Sequence, residues 1–397
     1  MIYLDNNATT QVAPEVYAAM QPYFAQLYGN PSSAHTFGRN VRRAIEQARE
    51  QTAALLGARQ AHEIIFTSCG TESDNWAIRG ALATQPTKKR HIVTTKVEHE
   101  AVRNLCAQLA REGYEVTWLE VDEEGALDLE SLRLALRSDT ALVSVMLANN
   151  ETGVLFPIEE IGEIVRAKSD AVFHIDGVQA VGKIPLDLKR TEVDLFAVSG
   201  HKLHAPKGIG ALYVHDRLKI KPLLIGGGQE GGRRSGTENV PYMVALGRAC
   251  DLAKDYDNLE TIRHLRDRLE DAVLARIPNA RLNGITDRAK RLPNTSNISF
   301  AYLEGESILA HLDAASICVS TGSACNSAAH ESSPVLRAMN VPFTTAQGSI
   351  RFSLSRYNTL EEIEYTLMVL PDIIRHLAEM SPYEEELRAL MNKKGRG

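Results

Sequence analysis

Cysteine is scarce in this chain. Its 397 residues include five, Cys69, Cys106, Cys250, Cys318 and Cys325. An odd, widely spaced set does not make a disulfide framework, which points to a reducing compartment. No second cysteine lies within four residues of Cys325, so neither a CxxC redox pair nor a metal knuckle forms there, and no metal site is expected. No apolar run approaches the ~18 residues of a membrane helix. Basic residues are not in excess: the net charge of −6 argues against a nucleic-acid partner. The opening MIYLDNNATT lacks the basic and apolar regions of a secretory signal. Repeats and low-complexity tracts are also missing. Together these absences lead us to expect a cytoplasmic protein with no nucleic-acid and no membrane partner.

What is present is ordinary globular material, 44% apolar and 24% charged. A single core stops growing at about 250–300 residues, so two domains are expected. From 38 to 56, Val41, Ile45, Ala48, Thr52 and Leu55 recur at spacings of three and four, a helical stripe. Short apolar strands then alternate with helical segments: EIIFTS (63–68), HIVTT (91–95), EVTWLEV (115–121), ALVSVMLANN (141–150), AVFHID (171–176), DLFAVSG (194–200) and GALYV (210–214). The alternation predicts an α/β fold, a mostly parallel sheet covered by helices, in a large domain at 14–255. Near 256 the pattern changes to a long helix with Leu259, Ile262, Leu265, Leu269 and Val273 on one face. Strands at TSNISF (295–300) and SIRFSLS (349–355) follow, then a final helix that Pro371 is expected to interrupt. This reads as a smaller α+β domain made of 1–13 and 256–397, with a charged tail expected to fray.

Chemistry gathers where strands end. In SGHKLHAPKG, Lys202 follows a strand and stands between two histidines. Alone, it reads as a surface lysine on a Gly/Pro loop; the functional alternative is a Schiff-base lysine, with Ser199 and His201 placed to bind an anion. Other segments supply the remaining parts of a pyridoxal-phosphate site. SCGTES at 68–73 offers glycine, hydroxyls and a helix N-terminus, which favours negative charge, although Ser68 or Thr71 as a simple N-cap is the plainer reading. Asp176 ends an apolar strand, where a carboxylate could keep a pyridine nitrogen protonated, and Gln179 could donate to a phenolic oxygen. His99 stands just past another strand and could stack on a ring. Asn149, Asn150 and Glu151 follow a further strand, or serve only as turn formers. Cys325 lies among small polar residues in STGSACNSAAHESS, the setting of a reactive rather than a structural thiol.

DNNATT, TSCGTESDN, VEHEAV, ANNETG, the Asp176–Gln179 segment, SGHKLHAPKG, GRRSGTEN, STGSAC and IRFSLSRYN appear in this order over nearly the whole chain. The sequence resembles the cysteine desulfurases of the NifS/IscS type, of the aminotransferase-like fold type I class of pyridoxal-phosphate enzymes. The resemblance implies that Lys202 binds pyridoxal 5'-phosphate covalently. Gly70, Thr71, Ser199 and His201 would hold the phosphate, with Thr237 reaching over from the partner subunit of a homodimer. Asp176 would face the pyridine nitrogen and Gln179 the phenolic oxygen. His99 would stack on the ring and share in proton transfer. Asn150 and Arg351 would bind the carboxylate of L-cysteine. Cys325 would be the nucleophile that takes the sulfur, on the extended loop that one class of the family has, and would pass it to an iron–sulfur scaffold or another acceptor protein. SGHKLHAPKG and the late SPY are closer to the nitrogen-fixation type, and the resemblance leaves two roles open, nitrogenase maturation and general iron–sulfur cluster assembly. One departure is local: the family usually reads His-Thr-Asp-Ala where this chain has His174, Ile175, Asp176 and Gly177. Two other readings compete. Another fold type I enzyme, such as a selenocysteine lyase, is disfavoured by the Cys325 segment. A non-catalytic sulfur-carrier scaffold is disfavoured by Lys202 with Asp176.

Overall fold

The computed structural model describes residues 1–321, 332–383, 385–387 and 390. After the short β1 (Ile2–Tyr3), the β-branched and aromatic runs form β2 (Ile64–Thr67), β3 (His91–Thr95), β4 (Glu115–Leu119), β5 (Thr140–Met146), β6 (Val172–Asp176), β7 (Leu195–Ser199) and β8 (Gly210–Val214). These seven make one sheet in the order β2-β8-β7-β6-β5-β3-β4, parallel except for β8, which runs against both its neighbours. The central β5, β6 and β7 are buried at every position, as strands covered on both faces must be. Only the edge strand β4 is largely half-exposed.

The stripe read between 38 and 56 is buried in the helix Thr36–Leu56, which packs against the helix Val240–Ala253. A second sheet, antiparallel in the order β12-β13-β10-β9, is built from β9 (Ala280–Asn283), β10 (Thr295–Phe300), β12 (Ser320–Thr321) and β13 (Ser349–Ser353). β1 pairs in parallel with β11 (Ile317–Cys318), which brings the amino terminus into this half. Two main apolar cores result. One, around Val143, Phe173 and Phe196, also takes in Leu292, Leu336 and Met339 from late in the chain. The other joins Leu4 to Leu269, Phe300, Phe352 and Leu367. We propose on this separation that the chain divides near residue 256, with 1–13 joining the later part.

Two local expectations change. The last helix is not interrupted: Leu360–Glu379 runs through Pro371. An interior proline costs a helix about 3 kcal/mol, and the buried Ile363, Leu367, Leu370, Ile374 and Leu377 along one face offset that. The plain N-cap of the helix Gly70–Leu82 is neither Ser68 nor Thr71 but Cys69, whose sulfur accepts from the Glu72 N–H at 3.4 Å.

Candidate active site

Parallel strands point their carboxyl ends to one edge, and the loops there meet. Five of them deliver the site. Gly70 and Thr71 follow β2, His99 follows β3, Asn150 follows β5, Asp176 ends β6, Ser199 ends β7, and His201 and Lys202 follow it. All of these, with Gln179, line one cavity of about 170 Å³. Gly70 is required there by close approach: a Cβ on it would meet Val178 Cγ2 at 2.8 Å. It opens the helix Gly70–Leu82, so free N–H groups and the positive end of the helix dipole face the cavity.

The side chains are held in definite states. His99 caps the helix Glu100–Arg111, its Nδ1 accepting from the Ala101 N–H at 3.2 Å, so the proton of the neutral ring sits on Nε2. His201 shares a hydrogen bond with Thr9 Oγ1 at 3.1 Å; burial, then the nearby Lys202 and Lys207, push its pKa down to about 4, which leaves it neutral. Lys202 Nζ donates to the carbonyls of Asn7 and, at 2.9 Å, Ala8. Asp176 is buried and accepts one hydrogen bond, from the Val178 N–H at 2.9 Å. Burial raises its pKa, while His99 and Lys202 oppose the rise. A cation placed beside the carboxyl would favour its anion further. The departure at Gly177 has a cause: a Cβ there would lie 1.9 Å from the ring of Phe196, so the aromatic residue in β7 excludes alanine.

Two predicted residues stand apart from this cavity. Arg351, on β13, does not line it, yet its Nη1 donates to the Asn150 carbonyl at 3.0 Å and its Nη2 to Asp5 at 2.9 Å. Thr237 is exposed and lies outside the cavity lining. Cys325 lies outside the described residues. Other residues reach the site without having been singled out. Cys69, Asp74, Met146, Ala148 and Val178 complete the lining. Cys69 is half-exposed. Asp74 is buried, its pKa pushed up by burial and by Asp176 and Glu98. Behind it His174, whose pKa burial pushes down to about 3, comes within 3.4 Å of Asp74 without a proper hydrogen bond between them. The helical step from Thr71 to Asp74 inside a polar segment was the one signal available for it.

A model of the aminotransferase class-V family matches residues 2–366. The chain belongs to that family. It is 58% identical over 388 residues to cysteine desulfurase 2 of Trichormus variabilis, covering 97% of this chain and 96% of that one. It is 51% identical over 387 residues to the cysteine desulfurase NifS of Azotobacter vinelandii, covering 96% and 94%. Among solved structures, a NifS-like protein superposes with a TM-score of 0.88 at 39% identity, over 95% of this chain and all of the other. SspA in complex with cysteine superposes with a TM-score of 0.78 at 33% identity, over 90% of this chain and all of the other. The class-V fold uses pyridoxal phosphate, and the cavity fits it. The Gly70 helix end and the Ser199 hydroxyl suit the phosphate. The buried Asp176 carboxyl would suit a protonated ring nitrogen, and the buried Asn150 Oδ1, which has no hydrogen-bond partner, would offer a further polar contact.

Proposed function

We propose that this chain is a cysteine desulfurase, acting on L-cysteine to give L-alanine and a persulfide on Cys325. The observation that carries the reading is the convergence of Lys202, Asp176, Gln179, His99 and Asn150, from four strands, on one cavity of a class-V chain. Pyridoxal phosphate, when bound, supplies an electron-accepting ring. Lys202 would hold the cofactor, yield to the substrate amine and carry the Cα proton. His99, with its Nε2 proton turned from the capping Nδ1, stacks on the ring and takes part in the same transfer. Asp176 keeps the ring nitrogen protonated. Arg351 and Asn150 receive the substrate carboxylate; the buried Arg351 Nε has no hydrogen-bond partner, which supports an anion there. The Cys325 thiolate attacks the substrate sulfur. A sulfur–sulfur bond forms as the carbon–sulfur bond breaks, and its electron pair stays with the carbon skeleton, which takes up protons to leave as alanine.

The active unit is a homodimer in this reading. Thr237 is exposed, and Leu223, Leu224 and Ile225 expose an apolar patch shortly before it, which supports contact with a second copy. The sulfur goes to an iron–sulfur scaffold or another acceptor protein, possible destinations including nitrogenase maturation. No described helix is long and apolar enough to cross a membrane, which accords with a cytoplasmic site of action. The test is incubation of the purified protein with L-cysteine and a reductant. Alanine and sulfide should appear in equal amounts, and both should vanish in Cys325→Ala; sulfide release by that variant at the wild-type rate would sink the reading. Sedimentation of the active species checks the dimer, and a fully active monomer would refute it.

A further inference from the structure

We propose that Lys183 is a positioning residue of the cofactor site, one that fixes the side-chain amide of Gln179 and ties it through Asn7 to the sheet bearing Arg351. The inference rests on the pyridoxal-phosphate reading above. Lys183 stands four residues after Gln179 in QAVGK and is buried. Its Nζ donates to Gln179 Oε1 at 3.0 Å and to Asn7 Oδ1 at 3.2 Å. Gln179 Nε2 in turn donates to the backbone carbonyl of Asn7 at 3.0 Å. The Asn7 carbonyl only accepts, so a flipped amide would set oxygen against oxygen there. With the amide set this way, one Nε2 hydrogen is used on Asn7. The second remains to serve an oxygen in the cavity that Gln179 lines.

Asn7 is fixed just as firmly. Its Oδ1 also accepts from Asn294 Nδ2 at 3.0 Å, and its Nδ2 donates to Thr295 Oγ1 at 2.9 Å and to the Asn150 carbonyl at 3.2 Å. Thr295 begins β10, whose register sets it opposite Ser353 on the strand that carries Arg351. One run of hydrogen bonds thus reaches from the cavity wall to the substrate-side sheet.

A lysine is a costly choice for a merely structural place here. Its pKa is driven well below the ordinary value by burial first, and then by Lys202 and Arg351. Every charged neighbour that bears on it is a cation, so no ion pair repays its desolvation. What it does provide is a donor long enough to reach two amide oxygens at once.

Lys183→Met keeps the length and removes the donor. Two quantities are read: the dissociation constant for pyridoxal phosphate added to apoprotein, and the visible absorption maximum of the bound cofactor. The loss of one oriented hydrogen bond should raise the dissociation constant about tenfold. The absorption maximum should move as it does in Gln179→Met, and the double variant should behave like Gln179→Met alone. A maximum at the wild-type position with a dissociation constant within about twofold of wild type, or effects of the two substitutions that add, would overturn the inference. If Lys183→Met does not fold, Lys183→Arg retains a donor. A wild-type maximum in that variant supports the assignment, and a maximum displaced as in Gln179→Met overturns it. A wild-type protein that gives no visible band with pyridoxal phosphate would instead overturn the functional reading beneath it.

Discussion

Glu270 and Asp176 are both buried carboxylates, one in each half of the molecule, with opposite surroundings. Glu270 meets Arg291 through two parallel hydrogen bonds of 2.9 and 2.8 Å and accepts a third from Ser296 at 2.7 Å. Burial alone would raise its pKa, but the bonds to Arg291 and Ser296 bring it below the ordinary value. Nearby Arg266 donates through Nη1 to the carbonyls of Leu292 and Thr295, both at 3.0 Å, and through Nε to Asp267 at 2.7 Å. Asp176 has a single backbone donor, with Asp74 and Glu98 close enough for their charges to act on one another. Glu270 is thus completed by its neighbours. Asp176, at the cavity, is not, and a protonated ring nitrogen is the kind of group that would complete it.

Removing the partner from the complete cluster should do the most damage. Glu270→Ala leaves Arg291 buried without its carboxylate and is expected to cost about 3–5 kcal/mol, visible as a lower urea midpoint. A loss under about 1 kcal/mol would mean that this cluster is no more complete than the other. Asp176→Asn should reverse the pattern. Turnover of L-cysteine should fall by orders of magnitude, because an amide cannot hold the ring proton by charge. The apoprotein should be as stable as wild type or more so, since a poorly compensated carboxylate is gone. Turnover near the wild-type rate would remove Asp176 from its assigned role, and a large loss of apoprotein stability would erase the contrast with Glu270.

The smallest effect is one of pH. Burial pushes the Glu98 pKa up to about 8 from an ordinary 4.5, against the hydrogen bonds from Thr95 and the Met146 N–H. Folding therefore favours its protonated form. That stabilisation is complete below pH 4.5 and is lost as pH rises through about 8. Glu98→Gln, which keeps an acceptor for both donors, should flatten the fall in stability over this range and leave the chain roughly 2 kcal/mol more stable than wild type at pH 9. An unchanged pH dependence would mean that the carboxyl is not held as a buried acid.

Much of this was legible in the residues because it is local or periodic. The seven strands of the large sheet, the stripe of the helix Thr36–Leu56 and the placing of polar residues just past strand ends all follow from patterns a few residues long. The same patterns missed β9, since ARLN (280–283) has neither a run of β-branched residues nor strict alternation. Pro371 misled because the rule for an isolated helix ignores the packing of Leu367, Leu370 and Ile374 around it. Cys69 and Asp74 were overlooked because nothing short-range separates a residue that faces a cavity from one that faces a neighbouring strand.

By itself, the sequence determined the order of strands and helices, the charged and nucleophilic residues available, and the edge of the sheet at which they would collect. It could do so because backbone periodicity and strand direction are properties of short stretches. Only the tertiary structure decided which of those residues meet. Asn7 bonds to Asn150, Gln179, Lys183, Asn294 and Thr295 across 143 to 288 positions of chain, and Gly177 is required by the ring of Phe196 on the next strand. Whether a buried carboxylate is paired, as Glu270 is, or left incomplete, as Asp176 is, depends on what the fold packs against it. That balance of desolvation against hydrogen bonds exists only once the chain has closed around the group.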